Sequence, residues 1–170
     1  MNLAERLLQS AAENSDRTAI IFRDREISYG EVAGQVLAAA RSFAAMGVGR
    51  GDAVMLIMRN CPEFVVSYLA LSRIGAITAP MNPAASPHEV TAAAQSSGAV
   101  GIIAQARYLE NAAEACSRET VRFTIVADGP CTGPDQIPFE KLLCPAAGAP
   151  LPEGPAADDI AALLLSLIHI

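Results

Sequence analysis

The feature that most restricts the fold of this chain is a run of six apolar residues, Ala53-Val54-Met55-Leu56-Ile57-Met58, with Asp52 before it and Arg59 after it. The run is too short for a buried helix. A strand exposed on one face would alternate apolar with polar residues, so an unbroken run predicts a strand covered on both faces, as in a parallel sheet packed between helices. The neighbouring sequence agrees. Ala76-Ile77-Thr78-Ala79-Pro80-Met81, Val100-Gly101-Ile102-Ile103-Ala104 and Arg122-Phe123-Thr124-Ile125-Val126-Ala127 read as further short strands. Helical patterns separate them: one opened by Asn60 and Pro62 and closed by Gly75, one opened by Ser86-Pro87-His88-Glu89 as a capping box and closed by Gly98, and one from about Ala106 to Arg118. The alternation predicts an α/β fold, an open layered sheet with helices on both faces.

Upstream, Leu3, Leu7, Leu8 and Ala11 recur at helical spacing behind Asn2 as a cap. Thr18 to Phe22 and Glu26 to Tyr29 suggest a small hairpin turning at Asp24-Arg25, after which Ser28 caps a helix running to Met46 and stopped by Gly47. From Gly129 to Ala157 the chain is rich in proline, glycine and alanine, with a weak helical piece around Phe139 to Leu143, and reads as a surface connection.

Composition narrows the function. In 170 residues the chain is 52% hydrophobic and 18% charged, which marks a folded, core-rich protein. Its net charge of −6 comes without a lysine or arginine run, which argues against a nucleic-acid partner. Cys61, Cys116, Cys131 and Cys144 are irregularly spaced and the histidines are not clustered, so neither a zinc site nor a disulfide framework is expected. The start of the chain lacks the pattern of a secretion signal, and Arg59, Glu63, Arg73 and the prolines interrupt its most hydrophobic part. No transmembrane segment is expected, and the expected compartment is the cytoplasm. No Gly-x-Gly-x-x-Gly or Gly-x-x-x-x-Gly-Lys phosphate motif occurs, which argues against a complete small nucleotide-binding enzyme.

Four segments in order resemble one family. Ser28-Tyr29-Gly30-Glu31-Val32 is similar to a Thr-Tyr-x-Glu-Leu opening, and Gly47-Val48-Gly49-Arg50-Gly51-Asp52-Ala53-Val54 to Gly-Val-x-x-Gly-Asp-x-Val. Asn60-Cys61-Pro62-Glu63-Phe64 is similar to Asn-x-Pro-Glu-Phe, and the stretch from Leu71 through Gly75-Ala76 to Pro80-Met81-Asn82-Pro83 to Leu-x-x-x-Gly-Ala-x-x-x-Pro-Leu-Asn-Pro. These are segments of the acyl-adenylate-forming (AMP-binding) superfamily, in the form seen in acyl-CoA synthetases. The resemblance implies the N-terminal part of the large domain of that fold, incomplete in this chain. It also implies a parent ligase in which a carboxylic acid, fatty or aromatic, attacks the α-phosphate of ATP with Mg2+, after which coenzyme A displaces AMP from the acyl-adenylate. The expected partners of the parent are thus the small-molecule acid, ATP and CoA.

The resemblance continues into Asp158-Asp159-Ile160-Ala161-Ala162-Leu163-Leu164, similar to the Asp-Asp-x-Ala-x-Leu strand that leads into the family's Tyr-Thr-Ser-Gly-Thr-Thr-Gly-x-Pro-Lys-Gly loop. Glycines and hydroxyls there wrap the ATP phosphates. This sequence instead reads Leu165-Ser166-Leu167-Ile168-His169-Ile170, which resembles the product of a sequencing-library adapter and is expected to be non-native. The expected organisation is therefore 1–128 as the N-terminal α/β part, 129–157 as the connection, 158–164 as the start of the strand before the phosphate loop, and 165–170 as a foreign tail. No catalytic, cofactor-binding or metal-ligating residue is expected in the chain. Gly47, Gly51 and Gly75 read as stops and turns, Asp52 as a bond to its own turn, Asn82-Pro83 as an exit loop, His88 as solvated, and Glu31 and Glu63 as carboxylates favoured by helix dipoles. Ser166 and His169 lack a third group to make them a nucleophile and base. The chain by itself is expected to be inactive, to bind none of the cofactors, and to self-associate through an exposed apolar face. The alternative is a self-contained, non-catalytic α/β binding or interaction module.

Overall fold

The computed structural model describes residues 2–145 and 150–164. Helix α1 (Leu3–Asn14) leads into an antiparallel hairpin of β1 (Thr18–Phe22) and β2 (Arg25–Ser28). The turn is Arg23-Asp24 rather than Asp24-Arg25. Arg23 takes the left-handed conformation, φ 54°, and Arg25 is already paired with Phe22. The remaining elements are α2 (Tyr29–Ala45), β3 (Ala53–Ile57), α3 (Pro62–Arg73), β4 (Ile77–Pro80), α4 (Pro87–Ser97), β5 (Gly101–Ala104), α5 (Leu109–Cys116), β6 (Phe123–Val126) and β7 (Gln136–Pro138).

Three helices begin with reciprocal caps. Asn2 and Glu5, Ser28 and Glu31, and Ser86 and Glu89 each exchange side-chain and backbone hydrogen bonds across the first turn. Each pair satisfies two otherwise orphaned N–H groups, so the start of each helix is set locally. The predicted helix at Ala106 opens as a 3-10 turn over Ala106–Tyr108 before α5.

Strands β3 to β7 form one parallel sheet in the order β4-β3-β5-β6-β7. Alternate residues of its central strands feed two cores. Val54, Leu56, Ile103 and Ile125 meet Val32, Val36 and Phe43 of α2 and Val66 and Leu71 of α3. Met55, Ile57, Ile102, Ala104 and Val126 meet Val90 and Ala93 of α4 and Leu109, Ala112 and Ala115 of α5. The period-two alternation of a strand thus explains why the run in β3 had to be apolar throughout: both of its faces are interior.

The stretch expected as a surface connection contributes to the sheet. β7 pairs parallel with β6 through Ile125↔Ile137, and Phe139 and Leu142 of the 3-10 turn Phe139–Leu143 are buried against α2. Its proline and glycine content hid a three-residue edge strand, for which proline at the end of the strand is no obstacle. At the opposite edge, Thr78 of β4 donates from its N–H to the Ala161 carbonyl (3.1 Å) and accepts from the Leu163 N–H (2.9 Å), an isolated parallel bridge between Thr78 and Ala162.

Among the described residues helices cover both faces of the sheet, so the expected apolar exposure narrows to a short edge at Ile160 and Leu164. The large hydrophobic side chains left exposed among those residues are Leu3, Ile21, Val65, Ile160 and Leu164, scattered except for the last two. All four cysteines are free thiols. Among the described residues no helix is long and apolar enough to cross a membrane.

Candidate functional site

The sheet order locates the face where such folds bind ligands. From β3 the chain steps outward to β4 over α3, then returns past β3 to β5 by way of α4 on the other face. Connections diverge between β3 and β5, and the crevice beyond the carboxyl ends of strands at such a switch point is the usual ligand position in open α/β sheets.

At that position the chain builds a polar cluster. Gln105, directly after β5 and 8% exposed, accepts at Oε1 from the Arg59 N–H (3.0 Å) after β3 and donates from Nε2 to Asp128 Oδ2 (3.3 Å) after β6. Asp128 Oδ1 accepts from the Ala106 N–H at 3.0 Å, and Arg107 Nη2 lies 3.6 Å from Oδ2. Three strand ends are thereby tied side by side. Beside the cluster a cavity of about 400 Å³ runs under the hairpin, lined by Phe22, Ile27, Cys61, Glu63, Gln105 and Asp128 among others. The Cys61 thiol is buried, which pushes its pKa up to about 12, and it lies 3.8 Å from the Met58 sulfur. It is a packed, protonated group rather than a nucleophile.

The residues weighed from sequence fall into structural roles. Gly47, Gly51 and Gly75 have φ of 79°, 84° and 73°, and each ends a helix or makes a turn. Asp52 accepts from the Gly49 N–H (3.0 Å) and also pairs with Arg122 (3.0 Å), an ion pair across 70 residues that the sequence did not reveal. Asn82 accepts from the Ala84 N–H at 3.0 Å, and His88 is exposed at the start of α4. Glu31 and Glu63 sit in separate first turns, and the Glu31 carboxyl is held below the usual carboxylate range by its bonds to the Ser28 backbone and hydroxyl. Ser166 and His169 lie outside the described residues. The Gln105–Asp128–Arg59 cluster was not singled out from sequence. The one available signal was position, since each residue lies within two positions of a strand's end.

Four of the helix starts offer no open cradle for a phosphate. Phosphate cradles use free N–H groups at a helix start, and in α1, α2 and α4 the carboxylates of Glu5, Glu31 and Glu89 already occupy that place. In α3, Pro62 supplies no N–H and Glu63 adds negative charge. Among the described residues no cluster of three or more histidine, cysteine or acidic side chains is placed to hold a metal ion.

The model of the AMP-binding enzyme family matches residues 7–166. The chain belongs to that family. It is 36% identical over 145 residues to 4-coumarate–CoA ligase 3 of Oryza sativa subsp. japonica, an alignment covering 84% of this chain and 26% of the relative. The chain thus spans about a quarter of the length of that relative. Its fold matches a benzoate CoA ligase from Burkholderia xenovorans LB400 with TM-score 0.81 and 23% identity, over 95% of this chain and 32% of that one. Mycobacterium smegmatis MbtA matches with TM-score 0.86 and 28% identity, over 98% and 31%. The α/β sheet described above is therefore the N-terminal part of the adenylate-forming fold.

Proposed function

We propose that this chain is the N-terminal scaffold of an AMP-forming acid–thiol ligase, which activates an aryl or fatty carboxylic acid with ATP and Mg2+ and transfers the acyl group to coenzyme A. The family match over residues 7–166 carries this reading. The names of the relatives, a 4-coumarate–CoA ligase and a benzoate CoA ligase, favour an aryl acid. In this proposal the chain's contribution is positional. The sheet presents its carboxyl ends as one wall of a cleft, the Gln105–Asp128 cluster locks three of those ends together, and the segment 158–164 is the strand that leads toward the phosphate loop. Acid activation takes place on residues supplied by later sequence, so the chain alone binds neither ATP, Mg2+ nor CoA productively and is inactive. The cytoplasm is the compartment consistent with these substrates. Self-association of the chain runs through Ile160 to Leu164, where the apolar exposure is concentrated.

Two measurements test this. Acid-dependent exchange of pyrophosphate into ATP, run with 4-coumarate, benzoate and a fatty acid, should be absent with the purified chain, and exchange above background would overturn its inactivity. Reading the gene past the codon for Leu164 should reveal a Tyr-Thr-Ser-Gly-type loop. A stop codon after Ile170 would instead favour the non-catalytic module.

A further inference from the structure

The segment Ile160-Ala161-Ala162-Leu163-Leu164 adds to the outer edge of β4, yet its side chains say little about where it should sit. All five are apolar and two are alanine. A slip by one residue would exchange one apolar set for another, so the alternation that normally fixes register is nearly silent here. Something outside the strand has to define that Ala162 and no neighbour lies opposite Thr78.

The side chain of Asp159 is placed to do so. Its Oδ2 accepts from the Ala156 N–H at 2.8 Å, which closes the turn just before the segment, and its Oδ1 receives Arg50 Nη2 at 2.6 Å. Arg50 belongs to the turn that precedes β3, more than a hundred residues earlier, and its stem lies across Gly75: a Cβ at Gly75 would come within 3.2 Å of Arg50 Cγ. The turn is itself bound to the start of β4, through the Gly51 N–H to the Gly75 carbonyl (2.9 Å) and the Ile77 N–H to the Asp52 carbonyl (2.8 Å). Arg50 is thus fixed relative to β4 by its backbone and relative to the arriving segment by its guanidinium. A second tether, Arg73 Nη1 to the Pro152 carbonyl (3.2 Å), holds the chain seven residues upstream of Asp159 without reading its register.

We propose that Arg50 and Asp159 form a positioning latch that sets the register in which residues 161–163 add to β4. The pair goes beyond the function proposed above and depends on it only for what that strand leads to. In the intact ligase, a one-residue slip would displace whatever follows Leu164 by one strand step of about 3.3 Å and turn it to the other face.

The test is amide hydrogen exchange by NMR on the chain itself, comparing the Leu163 and Thr78 amides with Ile103 at the centre of the sheet. Arg50→Ala and Asp159→Ala should each speed exchange at Leu163 about three- to tenfold while Ile103 is unchanged, a range set by the modest strength of exposed ion pairs. The double variant should be no faster than Asp159→Ala alone, which also loses the Ala156 bond, and the exchanged pair Arg50→Asp with Asp159→Arg should exchange more slowly at Leu163 than Asp159→Arg alone, which a merely structural role for either side chain would not give. If the alanine variants lose the fold, Arg50→Gln and Asp159→Asn, which remove the charges, supply the same comparison. Unchanged exchange at Leu163, multiplicative effects in the double variant, or a charge swap no slower than Asp159→Arg alone would each overturn the latch. None of these readouts involves ATP, so the latch and the ligase assignment can fail separately.

Discussion

Replacing Gly101 with alanine should destabilise the protein even though its backbone conformation suits any residue. Gly101 lies in β5 opposite Phe123 of β6, and a Cβ built there would fall inside the Phe123 ring, with Cε1 only 2.6 Å away and two further ring carbons closer still. The ring cannot simply swing aside. Phe123 is 7% exposed and packs at 6.4 Å between centroids against Phe43, itself fully buried. Two effects compete. Gly→Ala at a compatible position stabilises by about 0.4–1 kcal/mol through the unfolded chain, while overpacking a filled core costs about 1–3 kcal/mol. A collision with an immobile ring sits toward the upper end of that range, so the net loss should be about 2 kcal/mol, or a fall in Tm of about 4–8 °C for a chain of this size. Urea unfolding followed by circular dichroism measures it. The decisive comparison is the same substitution in a Phe123→Ala background, where the obstruction is gone and Gly101→Ala should become neutral or stabilising. A loss below about 0.5 kcal/mol in the wild-type background, or the same loss in both backgrounds, would refute the reasoning.

The capping carboxylates of Glu31 and Glu89 and the ion-paired Asp159 all titrate below their ordinary values, because bonds to Ser28, Ser86 and Arg50 respectively favour the charged form. A depressed folded pKa contributes stability that is present above the unfolded value and lost as pH falls through the folded one. The urea midpoint should therefore decline from about pH 4.5 downward, and the Glu31→Gln, Glu89→Gln, Asp159→Asn triple variant should show a flatter acid limb. Ser86→Ala should lower stability by about 1 kcal/mol in the same urea assay by removing one half of the α4 cap. With Cys61 at a pKa of about 12 and largely buried, a thiol reagent at pH 8 should modify the exposed Cys144 rapidly and Cys61 only on unfolding, as read by peptide mass mapping. Leu164→Lys should shift the chain toward monomer in light scattering at matched concentration, by placing a charge on the apolar edge.

The layered core was legible because it rests on local signals that coincide with the global fold. The unbroken apolar run of β3, the cap at Ser28, the capping box at Ser86, and the stops at Gly47, Gly75 and Gly98 each correspond to an element boundary or a doubly covered strand. β7 was not legible. Gln136-Ile137-Pro138 has one isoleucine between a glutamine and a proline, and only its pairing with β6, a contact between separate segments, makes it a strand. The polar cluster at the switch point escaped for the same reason. Gln105, Arg59 and Asp128 are ordinary loop residues in sequence, and their hydrogen bonds exist only because the order β3-β5-β6 sets their strand ends side by side. The Asp52–Arg122 and Arg50–Asp159 pairs likewise span distances over which no periodicity runs.

The partner of β4's outer edge is the last of the described chain to be synthesised. The other parallel strands complete their pairings by Pro138, but the N–H and C=O of Thr78 must wait for Ala161 and Leu163, about eighty residues after the strand itself has left the ribosome. At about 5–20 residues per second this is an interval of roughly 4–16 s. Throughout it, a nascent chain with a nearly finished core leaves the outer edge of β4 with unpaired hydrogen-bonding groups, an edge open to mispairing during translation.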